Sequence, residues 1–263
     1  MTRPSPLPPV MILCGGRGTR LREQTEMIPK PLVEIGGRPI LWHIMKMYAH
    51  FGCVRFILCL GYKGGLIRGF FTREAPERSV GAEAGAPGPD ETIRYVEAGE
   101  EWLITFAETG LDTNTGGRVK RAAEHVQESP FFVTYGDGLA RIDLLDLLRF
   151  HQGEGRLATL TCVRPPSPFG IVELGADGRA VAFREKPRMR EWVNGGFFVF
   201  ERQVLSYLGT DDVLEREPFE RLVKDQQLSA YRFEDFWMCM DTYKDAQQLN
   251  ELWENGGAPW KVW

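Results

Sequence analysis

The strongest constraint on this chain is an apolar run that ends in a glycine-rich corner. Residues 10–13 predict a buried strand, and Gly15, Gly16 and Gly18 follow within five residues of its end. Glycines let backbone N–H groups approach anionic oxygens without interference from a Cβ atom, and a strand-to-helix corner points those donors at one spot. The corner therefore predicts a binding site for a polyphosphate.

The spacing of the glycines and the nearby cations narrows the phosphate chemistry. Arg20 and Lys30 would supply fixed positive charge, but the pattern fits neither a P-loop nor the dinucleotide fingerprint. The alternative is a plain turn between a strand and a helix. Such a turn needs one glycine and no cluster of cations, so the binding site is the better interpretation.

Length and composition bound the class of protein. A chain of 263 residues buries a large core, which favours one compact α/β domain with appendages. The net charge is −4 without a long basic run, so no nucleic-acid or membrane-surface partner is indicated. Five scattered cysteines predict small core residues in a reducing compartment. No stretch approaches membrane-span length, and we expect a cytoplasmic protein.

Apolar runs alternate with amphipathic segments along the first part of the chain. Strands are predicted at 54–60, 131–135 and 157–163, with helices at 39–51 and 142–151. This alternation predicts a doubly wound, mostly parallel, Rossmann-like sheet. Ligands of such sheets bind at the carboxyl ends of the strands, where the glycine corner, a second glycine-rich loop at 108–118 and Asp137 fall. That second loop is predicted to open onto a helix at 119–126.

Beyond residue 163 the predicted strands become shorter. Those at 171–174, 180–184, 196–200 and 228–233 predict a smaller mixed or antiparallel lobe beside the first. Residues 73–90 are rich in Ala, Gly, Pro and Glu and predict an exposed, flexible excursion. The tail at 258–263 carries two tryptophans, which we expect to pack on the body or on a neighbouring subunit.

Two aspartates are candidate metal ligands. Asp137 lies between two glycines at the end of an apolar strand, and Asp241 is the first charge after an apolar run. Either alone could be a turn residue or a helix N-cap. Together with the glycine corner they predict a Mg²⁺ site, because Mg²⁺ favours one or two carboxylates with phosphate oxygens and water.

Polar residues at 185–186 and 194–196 flank short strands in the second half of the chain. Glu185 and Asn194 could bind sugar hydroxyls, and Lys186 could hold a phosphate. A charged surface hairpin and an Asn-Gly turn explain these segments equally well when they are considered alone.

Ten short motifs, spread over nearly the whole chain, resemble those of one family, the sugar-phosphate nucleotidylyltransferases. Within that family they are similar to the glucose-1-phosphate cytidylyltransferase branch, and the last of them is specific to that branch. The motifs are Cys14-Gly-Gly-Arg-Gly-Thr-Arg20, Ile28-Pro-Lys-Pro-Leu-Val-Glu-Ile-Gly36, Pro39-Ile-Leu-Trp-His-Ile-Met-Lys-Met47, Gly61-Tyr-Lys-Gly64, Thr115-Gly-Gly-Arg118, Thr134-Tyr-Gly-Asp-Gly138, Arg184-Glu-Lys-Pro187, Asn194-Gly-Gly-Phe-Phe-Val199, Phe236-Trp-Met-Cys-Met-Asp-Thr242 and Ala258-Pro-Trp-Lys261.

The resemblance implies a reaction, and the change of pattern after residue 163 predicts a domain layout. The reaction is the Mg²⁺-dependent transfer of CMP from CTP to glucose 1-phosphate, which gives CDP-glucose and pyrophosphate, in a homo-oligomer. The layout is a single nucleotidyltransferase domain over 1–263, with a nucleotide-binding core at 1–163. A sugar-phosphate lobe, C-terminal helix and tail then occupy 164–263.

The resemblance also implies roles for individual residues. Arg20 and Lys30 are the expected catalytic residues, and Asp137 and Asp241 the expected metal ligands. The expected nucleotide contacts are Leu13, Cys14, Gly15, Gly16, Gly18, Thr19, Arg20, Thr113, Gly117, Arg118 and Gly136. The expected sugar-phosphate contacts are Tyr135, Gly170, Glu185, Lys186, Asn194 and Gly195.

The chain departs from the family pattern between residues 73 and 101. An Ala-, Gly- and Pro-rich stretch there replaces a longer segment that contains histidine and arginine. Two alternatives stay open. One is the same reaction with another nucleotide (UTP, dTTP, GTP or ATP) or another sugar or cyclitol phosphate. The other is a non-catalytic nucleotide-sugar sensor, which the presence of Arg20, Lys30, Asp137 and Asp241 disfavours.

Overall fold

The structure is a computed structural model that describes residues 7–18, 27–74, 90–97 and 99–263. Thr19, Arg20 and most of the predicted excursion at 73–90 lie outside these residues. Within them, no helix is long and apolar enough to cross a membrane.

The described strands and helices follow the predicted alternation. The strands are β1 (Val10–Leu13), β2 (Glu34–Ile35), β3 (Arg38–Pro39), β4 (Arg55–Leu60), β5 (Glu91–Glu97), β6 (Glu100–Glu108), β7 (Phe131–Tyr135), β8 (Gly138–Ala140), β9 (Ala158–Val163), β10 (Ile171–Leu174), β11 (Ala180–Arg184), β12 (Val193–Phe200), β13 (Leu228–Arg232) and β14 (Trp237–Cys239). The helices are α1 (Ile40–His50), α2 (Gly64–Glu74), α3 (Thr115–Ala122), α4 (Leu144–Glu154), α5 (Glu217–Lys224) and α6 (Tyr243–Glu254).

A central sheet of eight strands organises the molecule in the order β13-β9-β12-β7-β1-β4-β6-β5. The neighbours β7, β1, β4 and β6 are parallel, as predicted. Strand β12 runs antiparallel to both β7 and β9, and β5 runs antiparallel to β6 at one edge. The predicted α/β sheet is confirmed, with a parallel centre and mixed flanks.

Both faces of the sheet are covered. Val10 and Ile12 of β1 belong to the hydrophobic cluster that includes α1 and α6, whereas Met11 and Leu13 belong to the cluster that includes α3 and α5. A strand that is buried on both sides is read in sequence as a continuous apolar run. This is why β1 and β7 were predictable as core strands from their residues alone.

The second half of the chain differs from the prediction. Strands β10 and β11 form a separate antiparallel hairpin, but β12 and β13 join the central sheet. The assignment of 196–200 and 228–233 to a separate lobe was therefore wrong. The physical reason is visible in β12, where residues 195–200 are all buried and supply apolar side chains to both clusters.

The β10–β11 hairpin exposes apolar side chains. About half to two thirds of the surface is exposed at each of four side chains, those of Val172, Leu174, Val181 and Phe183. The charged pair Glu173 and Arg184 lies on the same hairpin, with 2.6 Å between the carboxylate oxygen and the guanidinium nitrogen.

The C-terminal tail packs on the body of its own chain. Trp260 is fully buried, stacks against Phe236 and Trp253 at centroid distances of 5.7 and 6.4 Å, and donates its indole N–H to His43 Nδ1 at 3.4 Å. His43 is therefore a packing residue. The tail is bound within the chain and does not by itself indicate a neighbouring subunit.

Candidate active site

A cleft of about 460 Å³ opens at the carboxyl ends of the parallel strands. Leu13 and Tyr135 end β1 and β7 there, which is where open α/β sheets bind their ligands. Its lining residues are Leu13, Cys14, Gly15, Gly16, Gly18, Lys30, Pro31, Thr113, Asn114, Thr115, Arg118, Tyr135, Gly136, Asp137, Cys239 and Asp241. The structure thus brings together eight of the expected nucleotide residues with Lys30 and the two candidate metal ligands.

The glycine corner is built around Arg118. The Arg118 guanidinium is buried and donates through Nη1 to Leu60 O, Thr109 Oγ1 and Gly110 O at 2.8–3.0 Å. Through Nη2 it donates to Gly15 O at 3.0 Å and to Leu111 O at 3.2 Å. Arg118 therefore ties the loops after β1, β4 and β6 together at the cleft.

Gly15 is required by this arrangement. A Cβ atom at Gly15 would lie 2.1 Å from Arg118 Nη1, and one at Gly61 would lie 2.5 Å from the same atom. The absence of a side chain at Gly15 thus serves the packing of an arginine as well as any approach to phosphate. At Gly16, by contrast, nothing lies within 4 Å of such an atom.

Helix α3 begins earlier than predicted. It starts at Thr115, so Gly116 and Gly117 form its first turn and are not part of a loop that precedes a helix at 119. Cβ atoms at these glycines would lie 2.8 Å from Asp212 O and 2.6 Å from Thr210 O. Gly117, an expected nucleotide contact, is packed against this segment and does not line the cleft within the described residues.

Lys30, Asp137 and Asp241 meet in one ion cluster. Lys30 Nζ donates to Asp137 Oδ2 at 2.6 Å and to Asp241 Oδ1 at 2.7 Å. Strand pairing brings the two aspartates together, because β8 pairs with β14 so that Gly138 lies opposite Cys239. The expected metal ligands are thus adjacent, although 104 residues separate them in the sequence.

The electrostatics of this cluster keep Lys30 charged and Cys239 neutral. Burial lowers the pKa of Lys30, but the charge of Asp137 and the hydrogen bonds to Asp137 and Asp241 together outweigh burial and raise this pKa above its usual value. Burial and the Asp137 carboxylate raise the pKa of the Cys239 thiol, which therefore keeps its proton. The oxygens of Asp137 and Asp241 and the Cys239 sulfur lie within 4.8 Å of one another.

Of the expected sugar-phosphate contacts, Asn194 adjoins the cleft through a hydrogen bond to Tyr135, which lines it. Asn194 Nδ2 donates to the Tyr135 hydroxyl at 3.1 Å, and Asn194 Oδ1 accepts from Gly196 N at 2.9 Å. Gly195 is buried, and its carbonyl accepts the Trp237 indole N–H at 2.7 Å.

The remaining expected sugar-phosphate contacts lie at the base of the β10–β11 hairpin. A Cβ atom at Gly170 would lie 3.0 Å from Glu185 Oε2, so these two residues are neighbours. Glu185 and Lys186 are exposed, and none of the three lines the cleft in the described part of the chain. Their role in binding stays a prediction, as does that of Thr19 and Arg20, which the structure does not describe.

Several residues of the site were missed from the sequence. Asn114 and Thr115 line the cleft at the start of α3, and Cys239 lies beside the aspartates. Asp112 pairs with Arg17 at 2.6 Å and so joins the glycine corner to the second glycine-rich loop. An N-cap asparagine before Thr-Gly-Gly was the one available signal, because Asn is a preferred helix start.

A comparison with protein families defines the class of this protein. A family model described as nucleotidyl transferase matches residues 9–255. The chain therefore belongs to the nucleotidyl transferase family.

Individual relatives narrow the comparison. A probable glucose-1-phosphate cytidylyltransferase of Bacillus subtilis (strain 168) is 44% identical over 96% of this chain and 99% of the relative. A glucose-1-phosphate cytidylyltransferase of Salmonella typhimurium is 43% identical over 96% of this chain and 98% of the relative. These relatives confirm the resemblance that the sequence motifs indicated.

A solved structure shares the fold. The crystal structure of HddC from Yersinia pseudotuberculosis covers 94% of this chain and 100% of its own, with a TM-score of 0.66 and 22% sequence identity. At this identity the likeness concerns the fold, and it agrees with the α/β architecture described above.

Proposed function

We propose that the chain transfers CMP from CTP to glucose 1-phosphate with the aid of Mg²⁺, giving CDP-glucose and pyrophosphate. One observation carries the proposal. A glycine corner, a buried lysine and two aspartates converge on one cleft of a chain that matches glucose-1-phosphate cytidylyltransferases over nearly its whole length.

In the proposed reaction an oxygen of the sugar phosphate attacks the α-phosphorus of CTP in line. The new O–P bond forms as the bond from the α-phosphorus to the bridging oxygen of pyrophosphate breaks. Both reactants are anions, so positioning and fixed positive charge do most of the work. Lys30 supplies one such charge, and Arg118 holds together loops that line the cleft.

The donor set fits a hard divalent cation. Asp137 and Asp241 already share one cation, the Lys30 ammonium, so oxygens of both carboxylates reach a common point. The protonated Cys239 thiol is a poor ligand, which leaves the two carboxylates as the ligands that Mg²⁺ prefers. When bound there, Mg²⁺ would neutralise charge on the phosphate oxygens.

The first experiment measures pyrophosphate release. CTP, UTP, dTTP, ATP and GTP are each offered with glucose 1-phosphate, with Mg²⁺ and with a chelator. We expect release with CTP that the chelator abolishes and added Mg²⁺ restores. Release with a different nucleotide, or only with a different sugar or cyclitol phosphate, would keep the nucleotidyl transfer and refute the proposed substrates. Nucleotide binding without release on any sugar phosphate would favour a sensor.

Variants of the ion cluster test the roles of its members. Asp137→Asn and Asp241→Asn should each lower kcat at saturating Mg²⁺ by about 10²-fold or more, because a carboxylate ligand is lost. Asp177→Asn, which removes the same charge from the exposed turn of the hairpin, is the matched control and should keep normal turnover. Near-normal turnover in both site variants would refute the metal assignment.

Lys30 is tested separately. Lys30→Met should lower the rate of the chemical step in single-turnover experiments, because its ammonium lies where the reacting phosphates are proposed to bind. If the substitution raised only the KM for the sugar phosphate, a role for Lys30 in the transition state would lose its support.

We also propose that the chain assembles with copies of itself. The exposed apolar side chains of the β10–β11 hairpin support this, since exposed apolar patches on a protein mark interaction sites. Light scattering should give a mass of at least twice the 29.9 kDa of one chain. The double variant Leu174→Asp/Phe183→Asp should lower this mass. A monomer mass for the unaltered chain would refute the proposal.

A further inference from the structure

The carboxylate of Glu215, which is not among the residues expected from the sequence, joins two walls of the cleft. Glu215 precedes α5, and one of its oxygens accepts a hydrogen bond from the Tyr135 hydroxyl. Its other oxygen accepts from Thr115 Oγ1 at 2.8 Å. Tyr135 and Thr115 both line the cleft, and they belong to different elements, β7 and α3.

The hydrogen-bond chemistry of these two hydroxyls explains why a carboxylate is present. Asn194 Nδ2 donates to the Tyr135 hydroxyl at 3.1 Å, and Leu214 N donates to Thr115 Oγ1 at 2.9 Å. Each hydroxyl therefore already accepts a bond and has one proton left to donate. An ionised carboxylate has acceptors on both oxygens and no proton of its own, so Glu215 satisfies both hydroxyls at once. An amide at this position would offer an acceptor on one side only.

Tyr135 is also suited to the donor role. Burial and the neighbouring Glu215 carboxylate raise the pKa of Tyr135, so the phenol keeps its proton. A Cβ atom at Gly196 would lie 2.5 Å from the Tyr135 ring, so the absence of a side chain at this glycine leaves space for the ring.

The segment that carries Glu215 holds the start of α3 in further ways. Asp211 Oδ1 accepts from Asn114 N at 2.9 Å, and Asp212 O accepts from Gly116 N at 2.9 Å. These bonds fix the first turn of α3 in the wall that carries the expected nucleotide contacts. Tyr135, across the cleft, is an expected sugar-phosphate contact. Among the described side chains, Glu215 alone bonds directly to both this turn and Tyr135.

We propose that Glu215 is a positioning residue that couples Tyr135 on the sugar-phosphate side of the cleft to Thr115 on the nucleotide side. This role rests on the proposed function, because it assigns the two walls to the two substrates. Glu215 acts through the two hydroxyls that it holds, and its removal should let the two walls respond to substrates independently.

A double-mutant cycle tests the coupling. Tyr135→Phe, Thr115→Val and the double variant remove the two hydroxyls, and kcat/KM is measured for each substrate. While Glu215 is present, we expect the double variant to lose about 3- to 10-fold less activity than the product of the single losses. The same cycle in a Glu215→Gln background should give losses that multiply.

The cross-effect on KM separates coupling from a purely structural role. Tyr135→Phe should raise the KM for the nucleotide as well as the KM for the sugar phosphate. The effect on the KM for the nucleotide should occur only while Glu215 is present. Glu217→Gln, a change of the same type two residues along the chain, is the matched control and should alter neither KM. If the two hydroxyls prove coupled in thermal unfolding but not in kcat/KM, Glu215 has a structural role alone and the proposal is wrong.

The outcomes distinguish this proposal from the proposed function. The cycle is run with the nucleotide and sugar phosphate that the unaltered chain turns over. An unaltered chain that turns over no pair would overturn the proposed function and with it the substrate-coupling role. Losses that multiply in an active chain with Glu215 intact would overturn the role of Glu215 alone. Glu215→Gln keeps the size of the side chain, so the cycle remains measurable where Glu215→Ala does not fold.

Discussion

Replacing Gly15 by alanine should destabilise the protein through Arg118. The new Cβ atom would lie 2.1 Å from Nη1 and 2.2 Å from Cζ of Arg118, far inside any permitted contact. The far end of a flexible side chain usually moves away at little cost. Here it is held by five hydrogen bonds to four carbonyls and a hydroxyl, so moving it breaks bonds at a buried charge.

The size of the effect follows from these bonds. Hydrogen bonds to a charged group contribute about 1.5–3 kcal/mol each, but they are not additive, and a displaced guanidinium regains some of them with water. Removing the partners of a buried charge costs about 3–5 kcal/mol, and we expect a loss near the lower limit, about 3 kcal/mol. For a chain of this size that corresponds to a decrease of about 6–12 °C in Tm.

Thermal and urea unfolding of matched variants measure this loss. Gly16→Ala is the control, since nothing lies within 4 Å of a Cβ atom there, and it should change Tm by about 1 °C or less. In an Arg118→Ala background, the further change Gly15→Ala should cost almost nothing, because the clash is gone. Equal Tm values for Gly15→Ala and Gly16→Ala would refute the reasoning.

Two further predictions concern the buried aromatic cluster at the C-terminus. Trp260→Ala should lower the free energy of unfolding by about 3–5 kcal/mol, whereas Tyr243→Ala, at a side chain that is 47% exposed, should cost far less; equal losses in urea unfolding would contradict this. Burial and the charges of Lys261 and Arg38 lower the pKa of His43 from 6.5 to about 4. Below pH 6.5 the unfolded chain therefore binds a proton at His43 that the folded chain does not. The contribution of neutral His43 to the free energy of unfolding is thus fully present above pH 6.5. Between pH 6.5 and 4 the free energy of unfolding should fall by about 3 kcal/mol on this account, and His43→Gln should reduce this slope in urea unfolding.

Elements with a strong local pattern were predictable from the sequence. Strand β7 was predicted at 131–135 and has those bounds, and helix α1 was predicted from 39 and begins at Ile40. Strands covered on both faces carry continuous apolar runs, and Pro39 marks a helix start because its fixed φ suits that position. Such signals depend on neighbouring residues alone.

Elements whose stability comes from distant segments were not predictable. Helix α3 begins with Thr115-Gly-Gly, a pattern that helix propensity assigns to a loop. The glycines are tolerated because the backbone of residues 210–212 packs where their side chains would be. No feature of the sequence near residue 116 indicates that these glycines pack against a segment almost a hundred residues away. The same holds for Glu215, whose partners Tyr135 and Thr115 become neighbours only in the folded sheet.

The candidate site shows the same division between residue types and their arrangement. The sequence predicted that Asp137 and Asp241 share one metal site, but not that the Lys30 ammonium donates to both carboxylates. One ammonium and two carboxylates leave that cluster with a formal charge of −1, which repels a polyphosphate. Arg118 cannot offset this alone, because carbonyl groups surround its buried guanidinium. A divalent cation at the aspartates would change the cluster from −1 to +1, so nucleotide affinity should depend on the cation even before any bond is broken.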